Sequence, residues 1–256
     1  MKCALLLAWI SAAGVHASEL AVVIDDIGYS ESRGLQAIDL PGPITIAVLP
    51  FAPHSPRLAL TARARGVDVI VHLPMEPQPS DHARPERGTL TLQMSDAAFA
   101  TSLTAALDAV PEPIGISNHA GSLLTAHRAP MLRLMAELNL RRLYFLDSCT
   151  TPNTVAYDAA LEMGTPALRR DVFLDHDRSP QAIRRAFDGV LRRARVNGSA
   201  VLVAHPYPES LNFLRRELAA LPEDITLVPA AELAFRHQAT LALGSHPAFP
   251  HRSPGR

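Results

Sequence analysis

Short, continuous apolar runs recur about eight times along this chain, each followed after a turn by a segment of helical character. The runs are 20–24, 44–49, 67–71, 114–117, 142–146, 167–174, 199–204 and 225–228, the third interrupted by Asp68 and the sixth by Arg169, Arg170 and Asp171. A strand with one face in water alternates apolar and polar residues, whereas these do not, so both faces are expected to be buried, as in a parallel sheet. Serine starts and glycine or proline stops punctuate the segments between them. Ser30 opens a helix ended by Pro41-Gly42-Pro43, Ser95-Asp96 opens one to Val110, and Ser179-Pro180 opens a long arginine-rich one stopped by Asn197-Gly198. The alternation predicts an α/β fold, a distorted (β/α) barrel, with an open doubly wound sheet as the rival. Both architectures gather the side chains at the carboxyl ends of their strands on one face.

The ends of the chain read differently. Residues 1–17 combine a basic start, an apolar stretch and small residues at Val15-His16-Ala17, the pattern of a secretory signal too short for a comfortable membrane span. Residues 18–237 form the expected single domain, and 238–256 are expected to be a poorly ordered tail. Export implies a periplasmic or extracellular protein with no stable span after signal cleavage. Beyond the signal only Cys149 remains, so no internal disulfide can form. Lys2 is the only lysine, which excludes Schiff-base chemistry and a lysine-bearing phosphate loop from the mature chain. A formal net charge of −1 without a basic face argues against nucleic acid as a partner.

The strand ends carry the chemistry. Asp25 and Asp26 follow the first run, His72 the third, His119 the fourth, Asp147 the fifth and His205 the seventh, with Glu76 four residues after His72. Adjacent carboxylates repel unless a cation or proton lies between them, and imidazole with carboxylate is the donor set of divalent metals. His54, His82, His127 and His176 sit in loops or helix starts and read as solvated, with His54 placed to line the mouth. Cys149 beside a strand end reads as a buried thiol, with a Cys-His nucleophile as the sharper alternative. The proline-rich stretch 78–88 reads as a surface loop able to wall a substrate site.

These residues, in this order, resemble the divergent polysaccharide deacetylases, relatives of the NodB-type carbohydrate esterases. Ile24-Asp25-Asp26-Ile27-Gly28 resembles the aspartate-pair motif, and Val71-His72-Leu73-Pro74-Met75-Glu76-Pro77 stands where the family has H-x-x-x-H. Asn118-His119-Ala120-Gly121-Ser122, Phe145-Leu146-Asp147-Ser148, Asp171-Val172-Phe173-Leu174-Asp175 and Ala204-His205-Pro206 are similar to further segments of that branch. The resemblance implies a NodB-type barrel, a divalent ion such as zinc, and removal of N-acetyl groups from an envelope or other carbohydrate, with a peptidoglycan-type glycan as candidate substrate. It implies Asp25 as general base, His205 as acid, and Asp26 and His72 as metal ligands. Glu76 replaces the second histidine of H-x-x-x-H, leaving the third ligand to His119 or to Glu76. Arg169, Arg170 and Asp147 are the candidates for holding Asp25 and His205 in their protonation states. The alternative reading is a catalytically weak or inactive barrel that binds an envelope glycan or a partner protein.

Overall fold

The structure is a computed structural model that describes residues 17–81 and 85–243; 1–16 of the expected signal, His82 and 244–256 of the expected tail lie outside it. Among the described residues nine parallel strands form one sheet: β1 (Ser18–Ile27), β2 (Thr45–Val48), β3 (Asp68–Met75), β4 (Gly115–Ala120), β5 (Tyr144–Asp147), β6 (Ala167–Arg169), β7 (Val172–Phe173), β8 (Ser199–Ala204) and β9 (Ile225–Leu227). Their order is β6-β5-β4-β3-β2-β1-β8-β7, with β9 paired to the start of β1. Strands one to six are thus neighbours in sequence order, without the reversal that defines a doubly wound sheet.

The single run expected over 167–174 is divided between two partners. Its first half, β6, pairs with β5, and its second half, β7, pairs with β8. One stretch of chain therefore joins the two ends of the curled sheet, giving a distorted (β/α) barrel. β1 explains why its run is apolar throughout. Leu20, Val22 and Ile24 face the helical layer, while Ala21 and Val23 face the barrel interior with Ala47, Ile70, Leu146 and Val203. All are buried, and a fully buried Leu or Ile contributes about 1.5–3 kcal/mol.

Eight α-helices among the described residues cover the sheet: α1 (Glu31–Ile38), α2 (Ser55–Ala64), α3 (Asp96–Asp108), α4 (Arg128–Leu140), α5 (Ala156–Glu162), α6 (Pro180–Asn197), α7 (Pro208–Leu218) and α8 (Ala230–Ala242). The serine starts are caps: the Ser30, Ser95 and Ser179 hydroxyls accept from the N–H groups of Arg33, Ala98 and Ala182. Gly198, at φ 82°, ends α6 in a left-handed conformation. Boundaries of two kinds differ from expectation in a way that matters. β1, β3 and β4 run on through the residues expected just past them, so Asp25, Asp26, His72 and His119 lie within strands. α8 continues to Ala242, through the start of the expected tail, because it is held by surface contacts instead of apolar periodicity. Arg236 pairs with Glu232 and Glu19, and Gln238 donates to the Gly164 carbonyl. Among the described residues no helix is long and apolar enough to cross a membrane.

Candidate active site

Neighbouring residues on a regular strand point to opposite faces, so Asp25 and Asp26 could not both serve one site without a local irregularity. β1 supplies one. Ile24 pairs with Ile46 but Ile27 with Val48, so three steps on β1 match two on β2. Asp26 absorbs the extra residue at φ 56°, a left-handed conformation that Asp tolerates better than most residues. Both carboxylates consequently meet the same imidazole: His72 Nε2 is 3.3 Å from Asp26 Oδ1 and 3.7 Å from Asp25 Oδ2. The Ser117 hydroxyl, on the register partner of His72, lies 2.7 Å from Nδ1 and so directs Nε2 to the carboxylates.

His119 completes the cluster from β4, its Nδ1 2.9 Å from Asp26 Oδ1. Its ring stands edge-on to His72, centroids 4.9 Å apart. One donor atom each from Asp26, His72 and His119 lies within 4.8 Å of the others. Asp26 Oδ1 is buried and has two ring nitrogens close by, yet no contact has hydrogen-bond geometry; Asp25 Oδ1 is likewise buried without a partner. Burial opposes charge on Asp26, but His119 and His72 outweigh it and hold the carboxyl well below its usual range. In Asp25 burial wins over the attraction of His72 and His205, and its carboxyl is raised.

The other flank is built on β7, β8 and α7. His205 directly follows β8, with Nε2 4.0 Å from Asp26 Oδ2. Asp175 Oδ1 is 2.8 Å from His205 Nδ1, and Asp175 Oδ2 accepts from the His205 N–H and the Ser210 hydroxyl, each at 2.7 Å. Burial would push the imidazole down, but Asp175, then Asp26 and Asp25, raise it to about 9. Phe173 stacks on one side of the ring at 5.6 Å and Tyr207 lies 5.7 Å away.

Residues 22–234 match the divergent polysaccharide deacetylase family. This chain belongs to that family. It is 39% identical over 219 residues to the uncharacterized protein YibQ of Escherichia coli (strain K12), covering 86% of this chain and 68% of YibQ. An uncharacterized protein of Haemophilus influenzae is 37% identical over 216 residues, covering 84% of this chain and 76% of that protein. The crystal structure of uncharacterized protein ATU2773 from Agrobacterium tumefaciens C58 superposes with a TM-score of 0.80 at 25% identity, covering 86% of this chain and 91% of that one.

In this deacetylase-family chain Asp25, Asp26, His72, His119 and His205 come together, and Glu76 does not join them. Its Oε2 accepts the Leu92 N–H at 2.7 Å, which ties the following loop to the end of β3. Asp147 is also turned away, accepting from the Cys149 N–H and the Thr154 hydroxyl. Arg169 pairs with Asp158, and Arg170 donates to the Ser148 and Cys149 carbonyls while stacking on Phe173. The partner of His205 is therefore Asp175, which sequence reasoning quoted in a motif without giving it a role. Its signal was present, an acid ending the run that closes the barrel, but Arg169, Arg170 and Asp171 on the same run obscured it. Ser117 and Ser210 carried no signal at all. Cys149 is half-buried rather than the buried thiol expected, and desolvation and Asp147 push its thiol up to about 12, away from a nucleophilic thiolate. His54 Nδ1 lies 3.9 Å from Glu31 Oε2, His127 bonds the Leu123 carbonyl, and His176 is exposed.

Proposed function

We propose that this chain is an exported, metal-dependent hydrolase that removes N-acetyl groups from a carbohydrate of the cell envelope or a similar glycan. The observation that carries this reading is the convergence of Asp26, His72 and His119 beside Asp25 and His205. The donor set fits a divalent cation such as zinc: two imidazole nitrogens and a carboxylate oxygen crowd together, and that buried oxygen lacks a hydrogen bond. Membership of a family described as polysaccharide deacetylases supports an N-acetylated glycan, and the first seventeen residues support export.

Asp26, His72 and His119 would hold the ion, which when bound supplies polarisation of the acyl oxygen and acidification of a water. Asp25 is the general base. Its buried, raised carboxyl adjoins the cluster through His72 and takes the proton of the attacking water. His205 faces it across Asp26 and is protonated at neutral pH, so it delivers its proton to the departing amine nitrogen as the carbon–nitrogen bond breaks. Acetate and a free amine are the products. Asp175 keeps His205 Nδ1 engaged and leaves Nε2 as the proton-bearing atom that faces the site.

Incubation of the zinc-loaded protein with N-acetylated oligosaccharides, including peptidoglycan fragments, tests the reading through released acetate. Release that disappears in Asp25→Asn supports it. Glycan binding without acetate release from any of them overturns hydrolysis in favour of a binding protein.

A further inference from the structure

The position of Glu76, where the motif expects a second histidine, has taken a different task. Its N–H donates to the Leu90 carbonyl, the Leu90 N–H donates to Pro74, and its carboxylate holds Leu92. These bonds pin residues 90–92 to the end of β3. From that anchor the preceding residues deliver Glu86 back over the site. A Thr89 clasp fixes its backbone: the Thr89 hydroxyl accepts from the Glu86 N–H and donates to its carbonyl, both at 2.8 Å. Gly88, at φ 81°, packs so closely on Phe51 that any Cβ there would collide with the ring. Glu86, Thr89 and His119 line the same cavity of about 190 Å³.

The Glu86 carboxylate has two neighbours. One oxygen is 3.6 Å from His119 Nε2, and the other accepts from the Tyr29 hydroxyl at 3.3 Å. His119 thus stands between two acids, with Nδ1 toward Asp26 and Nε2 toward Glu86. An imidazole that ligates through Nδ1 must carry its proton on Nε2, and a carboxylate facing that proton fixes the tautomer and strengthens the ligand.

Resting on the metal reading above, we infer that Glu86 is the positioning residue for His119, holding the ring with Nδ1 free to ligate. The loop that delivers it is anchored by Glu76, so the residue replacing the motif's second histidine supports the ligand from β4 instead of ligating. Tyr29 braces the far oxygen of Glu86.

The test is zinc affinity by competition with a chromophoric chelator, together with ¹H–¹⁵N spectra of the histidine rings in the zinc-loaded protein. Wild type is compared with Glu86→Ala, Glu86→Gln and His119→Ala, with melting of the zinc-free proteins to confirm folding. Glu86→Ala is expected to weaken zinc roughly 10–100-fold, the usual effect of losing such a partner. Glu86→Gln, whose amide oxygen still accepts, should lose less. A slowly exchanging His119 Nε2–H should appear in wild type and vanish in Glu86→Ala. Unchanged affinity and unchanged His119 signals in Glu86→Ala, with zinc lost in His119→Ala, would overturn the role of Glu86 and leave the metal reading intact. A folded wild type that binds no zinc would sink both.

Discussion

The two flanks of the site treat their polar atoms in opposite ways. On the β1, β3 and β4 flank, Asp26 Oδ1 has His119 and His72 nitrogens at 2.9 and 3.3 Å without hydrogen-bond geometry, and Asp25 Oδ1 has no partner. On the β7 and β8 flank, Asp175 is saturated by the His205 ring, the His205 backbone and Ser210. Buried polar atoms are ordinarily paired, so the contrast is informative. The first flank is complementary to a cation, and the second is complementary to a proton held on His205. The proposed metal-assisted amide hydrolysis would use both.

The comparison breaks most severely if the first flank is altered. Asp26→Ala or His72→Ala should abolish zinc binding and, with it, acetate release, measured by metal content and by an acetate assay. Asp25→Asn should separate the roles: zinc is retained, while turnover falls by about 10²–10⁴-fold, the usual range for a lost proton-transfer group.

The second flank should respond through pH. His205 is raised to about 9, so its acid form, and activity that depends on it, is lost as pH rises through about 9. Asp175→Asn removes the chief stabiliser of the imidazolium, and the alkaline limb of kcat/KM should move down toward the ordinary imidazole value with zinc affinity unchanged. The sign for stability is the same. The His205–Asp175 contact contributes fully below the ordinary imidazole value and is lost as pH rises through about 9, which Tm against pH would follow. Ser210→Ala should shift the limb in the same direction by less, because two of the three bonds to Asp175 remain. The smallest effect is expected from Glu76→Gln. Zinc affinity should change by less than about threefold, while stability drops by about 1 kcal/mol as the charged bond to Leu92 weakens. A large loss of zinc in Glu76→Gln would instead return Glu76 to the ligand set.

The fold was legible because burial on both sheet faces writes itself as unbroken apolar runs, and the serine caps and Gly198 mark where helices begin and end. The cluster was legible because a barrel gathers strand ends, a rule that selects Asp25, Asp26, His72, His119, Asp147 and His205, of which all but Asp147 converge. What the sequence withheld depends on direction. Nothing in Asp25-Asp26 announces the bulge that turns both acids one way, and spacing alone could not choose between His119 and Glu76. Asp147 and Asp175 both end apolar runs, yet only Asp175 turns to His205, since Asp147 is consumed by Cys149 and Thr154. The far half of α8 is held by ion pairs such as Arg236–Glu232, which leave no apolar period to read.

The most direct measurement is the metal content of the protein from residue 18 onward, purified without chelators or a metal-affinity tag and then offered stoichiometric zinc. The account predicts about one tightly held ion per chain, lost in Asp26→Ala and retained in His205→Ala. A folded wild type that takes up no ion, or an ion that persists in Asp26→Ala, would contradict it.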